Sequence, residues 1–192
     1  MTSSRLLMAA LAACTLALAA CKDTPADAAK GPATPVSVAA VSAEAKGFTV
    51  GSEMTVRRVF VFFDPQCPHC AQLWQAAKPL KSQARFIWIP VGVMNEASTA
   101  QGAALLAAPD PATAMDAHEA SLSAKQGGIT AVGDLQAQRA VVAANTQLFN
   151  RFGFSSIPTI VANHAQSGAL VSHEGGLSTG ALAALLGLQP PN

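Results

Sequence analysis

The chain has 192 residues, of which 51% are hydrophobic and 12% are charged, and its formal net charge is +1. This length fits one domain with an additional segment, and the apolar content is ample for a core. Since the charge has no basic or acidic bias, the composition offers no electrostatic basis for binding nucleic acid, and we exclude that class of partner.

The first twenty residues predict an export signal. A short start with one positive charge, Arg5, precedes an almost wholly apolar run over residues 6–20. That run is shorter than a typical membrane-spanning helix, and its position at the start of the chain is typical of a signal peptide. We therefore expect residues 1–20 to be removed and the mature protein to lie in the bacterial envelope.

The end of this signal resembles a bacterial lipobox. Residues 18–21 read Leu-Ala-Ala-Cys, and in such signals the cysteine is lipidated and becomes the first residue of the mature chain. Cys21 is therefore the expected lipidation site, and Lys22 after it favours sorting to the outer membrane. Ordinary cleavage after Ala20 or Ala28, giving a soluble periplasmic protein, is the alternative.

Residues 21–46 are mostly small, polar or proline, which predicts a flexible tether. The pattern changes near Phe48, so a single α/β domain is expected over residues 47–192. Residues 55–63 form a nearly continuous apolar run, typical of a strand covered on both faces. A helix is expected from Pro68, because proline suits a first turn, and a second buried strand over residues 85–93.

A strand, a helix and a strand at this spacing predict a βαβ unit with parallel strands. Residues 96–152 then look helical, with Asp110 and Asp134 as helix caps. Short strands are expected near residues 159–162 and 170–173. A last helix is expected over residues 179–186, capped by Ser178.

The turn after the first strand carries the motif Cys67-Pro68-His69-Cys70, which is typical of a thiol–disulfide redox centre. Cys67 is the expected nucleophile, exposed at the positive end of a helix, where its thiolate is stabilised. Cys70 is the expected resolving thiol, so a Cys67–Cys70 disulfide forms in the oxidised protein. Pro68 and His69 are expected to tune the redox potential.

Two other interpretations of the cysteine pair are weaker. Half of a zinc site would need a second pair of ligands, but Cys14 leaves with the signal, Cys21 is the expected lipidation site, and the histidines lack ligand spacing. A structural bridge over four residues would remove little chain entropy. We therefore expect no metal site.

Taken with Ser156-Ile157-Pro158-Thr159, this motif resembles the thioredoxin superfamily. The resemblance implies an α/β thioredoxin-like fold with a helical insertion at about residues 96–152. It also implies that Pro158 is cis and lies against the cysteines. Substrate backbone is then expected to pair with Ile157 as an added strand.

Three segments narrow the resemblance to the DsbG/DsbC family of thiol:disulfide interchange proteins: residues 63–70, 72–79 and 91–93. It implies an envelope thiol–disulfide oxidoreductase, of reductase or isomerase type, acting on protein disulfides or oxidised cysteines. No cofactor is implied, and the expected electron partner is a membrane protein of DsbD or DsbB type.

Two departures from that family affect the expected activity. Residues 21–46 are too short and polar for the family's N-terminal dimerisation domain, so we expect a monomer and favour reduction over isomerisation. Ile157 stands where the family has threonine. The Pro68-His69 pair resembles a DsbA-type oxidase, which is the alternative within the enzyme class, and a peptide-binding chaperone module is the alternative outside it.

The remaining residues of interest have structural interpretations. Thioredoxin and DsbA carry a buried acid six residues before the nucleophile, but Val61 stands there. Asp64 is interpreted as a turn or cap residue, and Trp74 and Trp88 as core. The isolated histidines, His118 among them, are expected at the surface.

Overall fold

The computed structural model describes residues 34–191. The expected export signal, Cys21 and the first part of the expected tether lie outside these residues. The described helices are α1 (Val38–Glu44), α2 (Pro68–Ala77), α3 (Glu96–Ala107), α4 (Pro111–Ser123), α5 (Gln136–Arg151) and α6 (Thr179–Leu186). The described strands are β1 (Phe48–Gly51), β2 (Arg58–Phe63), β3 (Arg85–Pro90), β4 (Thr159–Asn163) and β5 (Leu170–Glu174).

The five strands form one mixed sheet in the order β1-β3-β2-β4-β5. β2 and β3 are parallel, with Val61 opposite Trp88, which confirms the predicted βαβ unit. β4 runs antiparallel to β2, with Val61 opposite Ile160. β2 therefore occupies the centre of the sheet and delivers the cysteine motif from its end.

Alternate side chains of β2 lie on opposite faces of the sheet because successive residues of a strand point in opposite directions. Val59, Val61 and Phe63 belong to one apolar cluster, and Phe60 and Phe62 belong to another. This division explains why the strand is a continuous apolar run: both of its faces are covered.

The two clusters are built from different parts of the chain. Trp74 and Trp88 lie in the first, with their ring centroids 4.9 Å apart and 2% and 1% of their surfaces exposed, so their predicted core positions are correct. Phe149 and Phe154 contact Phe62 in the second. α2 and α6 thus cover one face of the sheet, and α5 covers the other.

Residues 34–46 do not form the expected tether. Ser37 caps α1 by accepting a hydrogen bond from Ala40 N, and Val41 is fully buried in the second cluster. The segment is also held by Thr34 N, which donates to Arg151 O at 3.0 Å. A few apolar side chains in a small-residue segment suffice for a helix when a sheet face is available to bury them. The folded domain therefore includes this segment.

The predicted helical insertion consists of α3, α4 and α5. Asp110 caps α4 as predicted, accepting from Ala112 N and Thr113 N. α5 begins after Leu135, one residue later than predicted, and the side chain of Asp134 accepts from Gln136 N. Within residues 34–191, no helix is long and apolar enough to cross a membrane.

Candidate active site around Cys67 and Cys70

The cysteine motif lies at the junction of β2 and α2. β2 ends at Phe63, and a tight turn follows in which Cys67 N donates to Asp64 O at 3.0 Å. Cys67 is the N-cap of α2 with an extended backbone, and Pro68 occupies the first turn, where a missing N–H costs nothing. The Cys67 sulfur is therefore held at the positive end of α2.

Cys67 is less accessible than the sequence predicted, since only 4% of its surface is exposed. The segment before Pro158 covers it: the Sγ atom lies 3.8 Å from the carbonyl oxygen of Ile157. A hydrogen bond from the Cys70 thiol, together with the N–H groups of Cys70 and His69, lowers the pKa of Cys67 to about 6, although burial acts in the opposite direction. Cys67 is thus a buried sulfur that is mostly thiolate at neutral pH.

Cys70 is fully buried, and both cysteines are reduced. Burial strongly raises the pKa of the Cys70 thiol, and its hydrogen bond to Cys67 and the nearby Cys67 charge act in the same direction. The two sulfurs therefore differ chemically. Cys67 is suited to attack a disulfide, because the thiolate is the attacking form, whereas Cys70 is held as a thiol.

The Ile157–Pro158 peptide bond is cis, as the resemblance implied. Pro158 is buried, and its carbonyl oxygen accepts a hydrogen bond from Gly175 N at 2.7 Å. Ile157 is partly exposed beside Cys67. The two residues named from sequence as substrate contacts thus lie next to the nucleophile.

Pro68 and His69 are both exposed. The His69 Nδ1 atom lies 3.4 Å from Oε1 of Gln72, one turn further along α2. The charge of His69 is the smallest of the effects that lower the pKa of Cys67, and its backbone N–H contributes more. The imidazole therefore has a smaller part in stabilising the thiolate than the hydrogen bond from Cys70.

Asp64 is the turn residue predicted from sequence, and it is fully buried. One carboxylate oxygen accepts from Gln66 N at 2.8 Å. The other accepts from Val93 N and Met94 N, at 2.8 and 3.0 Å. Asp64 thereby ties the turn before Cys67 to the loop after β3.

The prediction that His118 lies at the surface is wrong. This residue of α4 is fully buried. Its Nδ1 accepts from Ile129 N at 3.1 Å, so Nε2 carries the proton and donates to Pro65 O at 2.8 Å. Burial lowers the pKa of His118, which keeps the ring neutral. A single sequence does not reveal this role, because the carbonyl lies 53 residues away.

Two glutamine side chains join the same turn to the insertion. Gln66 Nε2 donates to Gln101 Oε1 at 2.5 Å, and Gln101 Nε2 donates to Gly127 O at 2.7 Å. The turn before Cys67 is therefore held by α3, α4 and the loop after α4. Sequence reasoning found the cysteines but not these supports, nor the buried Glu119 of α4.

A family model described as a thioredoxin-like domain matches residues 52–189. The chain therefore belongs to the thioredoxin-like family, in agreement with its five-stranded mixed sheet and its cis-proline beside a Cys-X-X-Cys helix start.

Within this family, the chain is similar to thiol:disulfide interchange proteins named DsbG. It is 34% identical to the Pseudomonas aeruginosa protein over 136 residues, covering 68% of this chain and 51% of that protein. It is 35% identical to the Escherichia coli protein over 104 residues, covering 53% and 42%. The chain thus spans about half the length of these curated relatives or less.

Among solved structures, the catalytic domain of Proteus mirabilis ScsC is similar in fold. The TM-score is 0.57 at 17% identity, and the match covers 78% of this chain and 96% of that domain. This similarity supports the thioredoxin-like fold with its helical insertion.

Proposed function

We propose that this protein is an envelope thiol–disulfide oxidoreductase that acts on protein disulfides or oxidised cysteines. The observation that carries the proposal is the asymmetry of the two sulfurs at the start of α2: the pKa of Cys67 is lowered to about 6, whereas that of Cys70 is raised. Similarity to the DsbG proteins supports the same class of reaction.

The proposed reaction begins when the Cys67 thiolate attacks a substrate disulfide, forming a mixed disulfide and releasing one substrate thiolate. Cys70 then loses its proton and attacks the Cys67 sulfur, which forms the Cys67–Cys70 disulfide and releases the second thiolate. Substrate backbone would pair beside Ile157 and Pro158, where an extended peptide reaches Cys67. Pro68 and His69 would tune the potential.

The resemblance to the DsbG proteins favours reduction or isomerisation over oxidation. The hydrogen bond from Cys70 lowers the pKa of Cys67 and so stabilises the reduced form of the pair, and the extent of this stabilisation sets how oxidising the pair is. The Pro68-His69 dipeptide alone favours the oxidase alternative.

The reduction potential of the Cys67–Cys70 pair against glutathione tests the direction. A value of about −200 mV or below supports a reductase or isomerase, and a value near −120 mV supports an oxidase. Turnover is tested by reduction of insulin disulfides with a thiol donor. An intact pair without turnover would instead support the peptide-binding module.

We further propose a periplasmic location and a lipid anchor at Cys21, from the lipobox-like end of the export signal. Mass spectrometry of the mature N-terminus tests this, since an unmodified Cys21 or a later start would contradict it.

A membrane protein of DsbD or DsbB type is the proposed electron partner. A mixed disulfide between it and the Cys70→Ala variant would identify it.

The proposed oligomeric state is a monomer. Among the described residues before β1, 34–47, there is one short helix, and it packs on its own sheet through Val41. Light scattering at micromolar concentration tests this proposal. A stable dimer would overturn it and restore isomerisation as the favoured activity.

A further inference from the structure

Glu119 of α4 is a buried carboxyl group without a hydrogen-bond partner. Its surface is 4% exposed, and neither side-chain oxygen has a partner among residues 34–191. Burying an ionised carboxylate without compensation is costly, so such a group either has a function or carries a proton. None of the roles assigned above uses Glu119.

Glu119 lies where α4 faces the cysteine helix. It helps to line a groove of about 470 Å³ between α2 and α4, which begins at Ala71, the residue after Cys70. Its neighbours on α4 contact the cysteine region directly: Asp116 accepts from Trp74 Nε1 at 2.6 Å, and His118 donates to Pro65 O at 2.8 Å.

The charges around Glu119 oppose its ionisation. Burial raises its pKa to about 7, and the negative charges of Cys67 on α2 and Asp116 on α4 add to this effect. Lys78, which lines the same groove, is paired with Asp116 at 2.5 Å. His118 is neutral and already bonded at both nitrogens. The one repelling charge that changes during thiol–disulfide exchange is that of Cys67.

We propose that Glu119 is a positioning residue for the redox pair: it holds a proton while Cys67 is a thiolate and releases it when the Cys67 sulfur enters a disulfide. The inference rests on the proposed function. In the reduced protein, Cys67 is S⁻, Cys70 is SH and Glu119 is COOH. In the oxidised protein, the two sulfurs are bonded and Glu119 is COO⁻.

The protons and charges of this scheme balance. Reduction of one substrate disulfide breaks its S–S bond, forms the Cys67–Cys70 bond and releases two substrate thiolates. Cys70 and Glu119 each lose one proton, and these two protons convert the two thiolates to thiols. The negative charge moves from the Cys67 sulfur to the Glu119 carboxylate, so no further reactant is needed.

The test compares the full-length protein with its Glu119→Gln variant, which keeps the shape of the side chain but cannot ionise. The measurement is the equilibrium constant of the Cys67–Cys70 pair against glutathione from pH 5.5 to 8. Glu53→Gln is the matched control, because it removes an exposed carboxylate. We expect Glu53→Gln to follow the wild-type pH dependence.

Between pH 5.5 and 8, reduction of the wild-type pair is accompanied by partial protonation of Glu119, which the Glu119→Gln variant lacks. The wild-type equilibrium constant for reduction by glutathione should therefore rise less steeply with rising pH than that of Glu119→Gln, in which formation of the Cys67 thiolate releases a proton that no carboxylate takes up. The ratio of the two constants should change by about threefold or more, and a full proton would give tenfold, or about 30 mV, per pH unit. Parallel curves for wild type and Glu119→Gln would overturn the proposal.

A second measurement uses the wild-type protein alone, so it still tests the proposal if Glu119→Gln does not fold. The infrared difference spectrum between the reduced and oxidised wild-type protein at about pH 6.5 should show a protonated carboxyl group that is lost on oxidation. Absence of that band would also overturn the proposal. Both measurements report on the cysteine pair alone, so a failure to reduce insulin would contradict the proposed function without deciding this inference.

Discussion

Asp64 and Glu119 are two buried carboxyl groups near the same cysteine pair, but they lie in regions of different origin. Asp64 belongs to the turn between β2 and α2 and accepts three backbone hydrogen bonds. Glu119 belongs to the helical insertion, and neither of its oxygens has a partner within residues 34–191.

This difference separates an architectural role from a chemical one. A buried carboxylate that accepts three backbone hydrogen bonds is fixed in its position, and it stabilises the turn that presents Cys67. A buried carboxyl group without bonds is free to gain or lose a proton when a nearby charge changes. The thioredoxin-like core thus builds the redox pair, and the insertion places Glu119, the carboxyl group proposed to respond to its charge, on the side of α4 that faces α2.

The largest expected effect is on the pair itself. Cys67→Ala should abolish disulfide exchange, because the remaining Cys70 thiol is buried and its pKa is raised. Cys70→Ala should instead accumulate mixed disulfides through Cys67, visible on non-reducing gels and by mass spectrometry. Substrate trapped through Cys70 in the Cys67→Ala protein would reverse the assignment.

Asp64→Ala should cost about 3 kcal/mol of the free energy of unfolding, because it removes the charged acceptor of three part-buried backbone N–H groups. Urea denaturation measures this. The control is Asp134→Ala, which removes an exposed carboxylate that accepts from Gln136 N alone and should cost less than about 1 kcal/mol. Equal losses would show that the bonds to Asp64 do not stabilise the turn.

The contact of His118, in the helical insertion, with Pro65 is tested by substitutions at two neighbouring glycines, Gly127 and Gly128. A Cβ atom at Gly128 would lie 2.6 Å from His118 Cε1, whereas at Gly127 it would meet nothing within 4 Å. Both have similar positive φ values, +89° and +87°, so the backbone strain of an alanine is matched. Gly128→Ala should therefore cost about 1–3 kcal/mol more than Gly127→Ala and should slow exchange by moving His118 away from Pro65.

The pH dependence of stability tests the lowered pKa of Cys67. Since its folded pKa of about 6 lies below the unfolded value of about 8.5, its contribution is fully present above pH 8.5 and is lost as the pH falls through 6. Between pH 7 and 8, the reduced wild-type protein should become more stable with rising pH, by less than about 1.4 kcal/mol per unit. Reduced Cys67→Ser should lose this rise in urea titrations, and its persistence would exclude Cys67 as the cause.

The smallest expected effect is that of His69→Tyr. The imidazole is exposed, and its charge contributes least to lowering the pKa of Cys67, while the backbone N–H is kept in the variant. The pair should become less oxidising by no more than about 30 mV, which is a tenfold change in the equilibrium constant. A larger shift, measured against glutathione, would mean that the imidazole stabilises the thiolate more than the contacts of Cys67 indicate.

The sequence by itself determined the features that depend on neighbouring residues. Nearly continuous apolar runs defined β2 and β3, and the Asp110 and Ser178 caps marked α4 and α6. The spacing of Cys67 and Cys70 placed both sulfurs at the start of α2. Each of these signals spans only a few residues, because a strand, a cap or one helical turn is a local structure.

Only the tertiary structure decided what surrounds the cysteines. The cover over Cys67 comes from Ile157, 90 residues away, and the donor to Pro65 O is His118, 53 residues away. Segment 34–46 became a helix because the sheet offered a face on which to bury Val41. The burial and bonding of a polar side chain depend on distant segments that pack around it, and for this reason the sequence showed the redox pair but neither His118 nor Glu119 beside it.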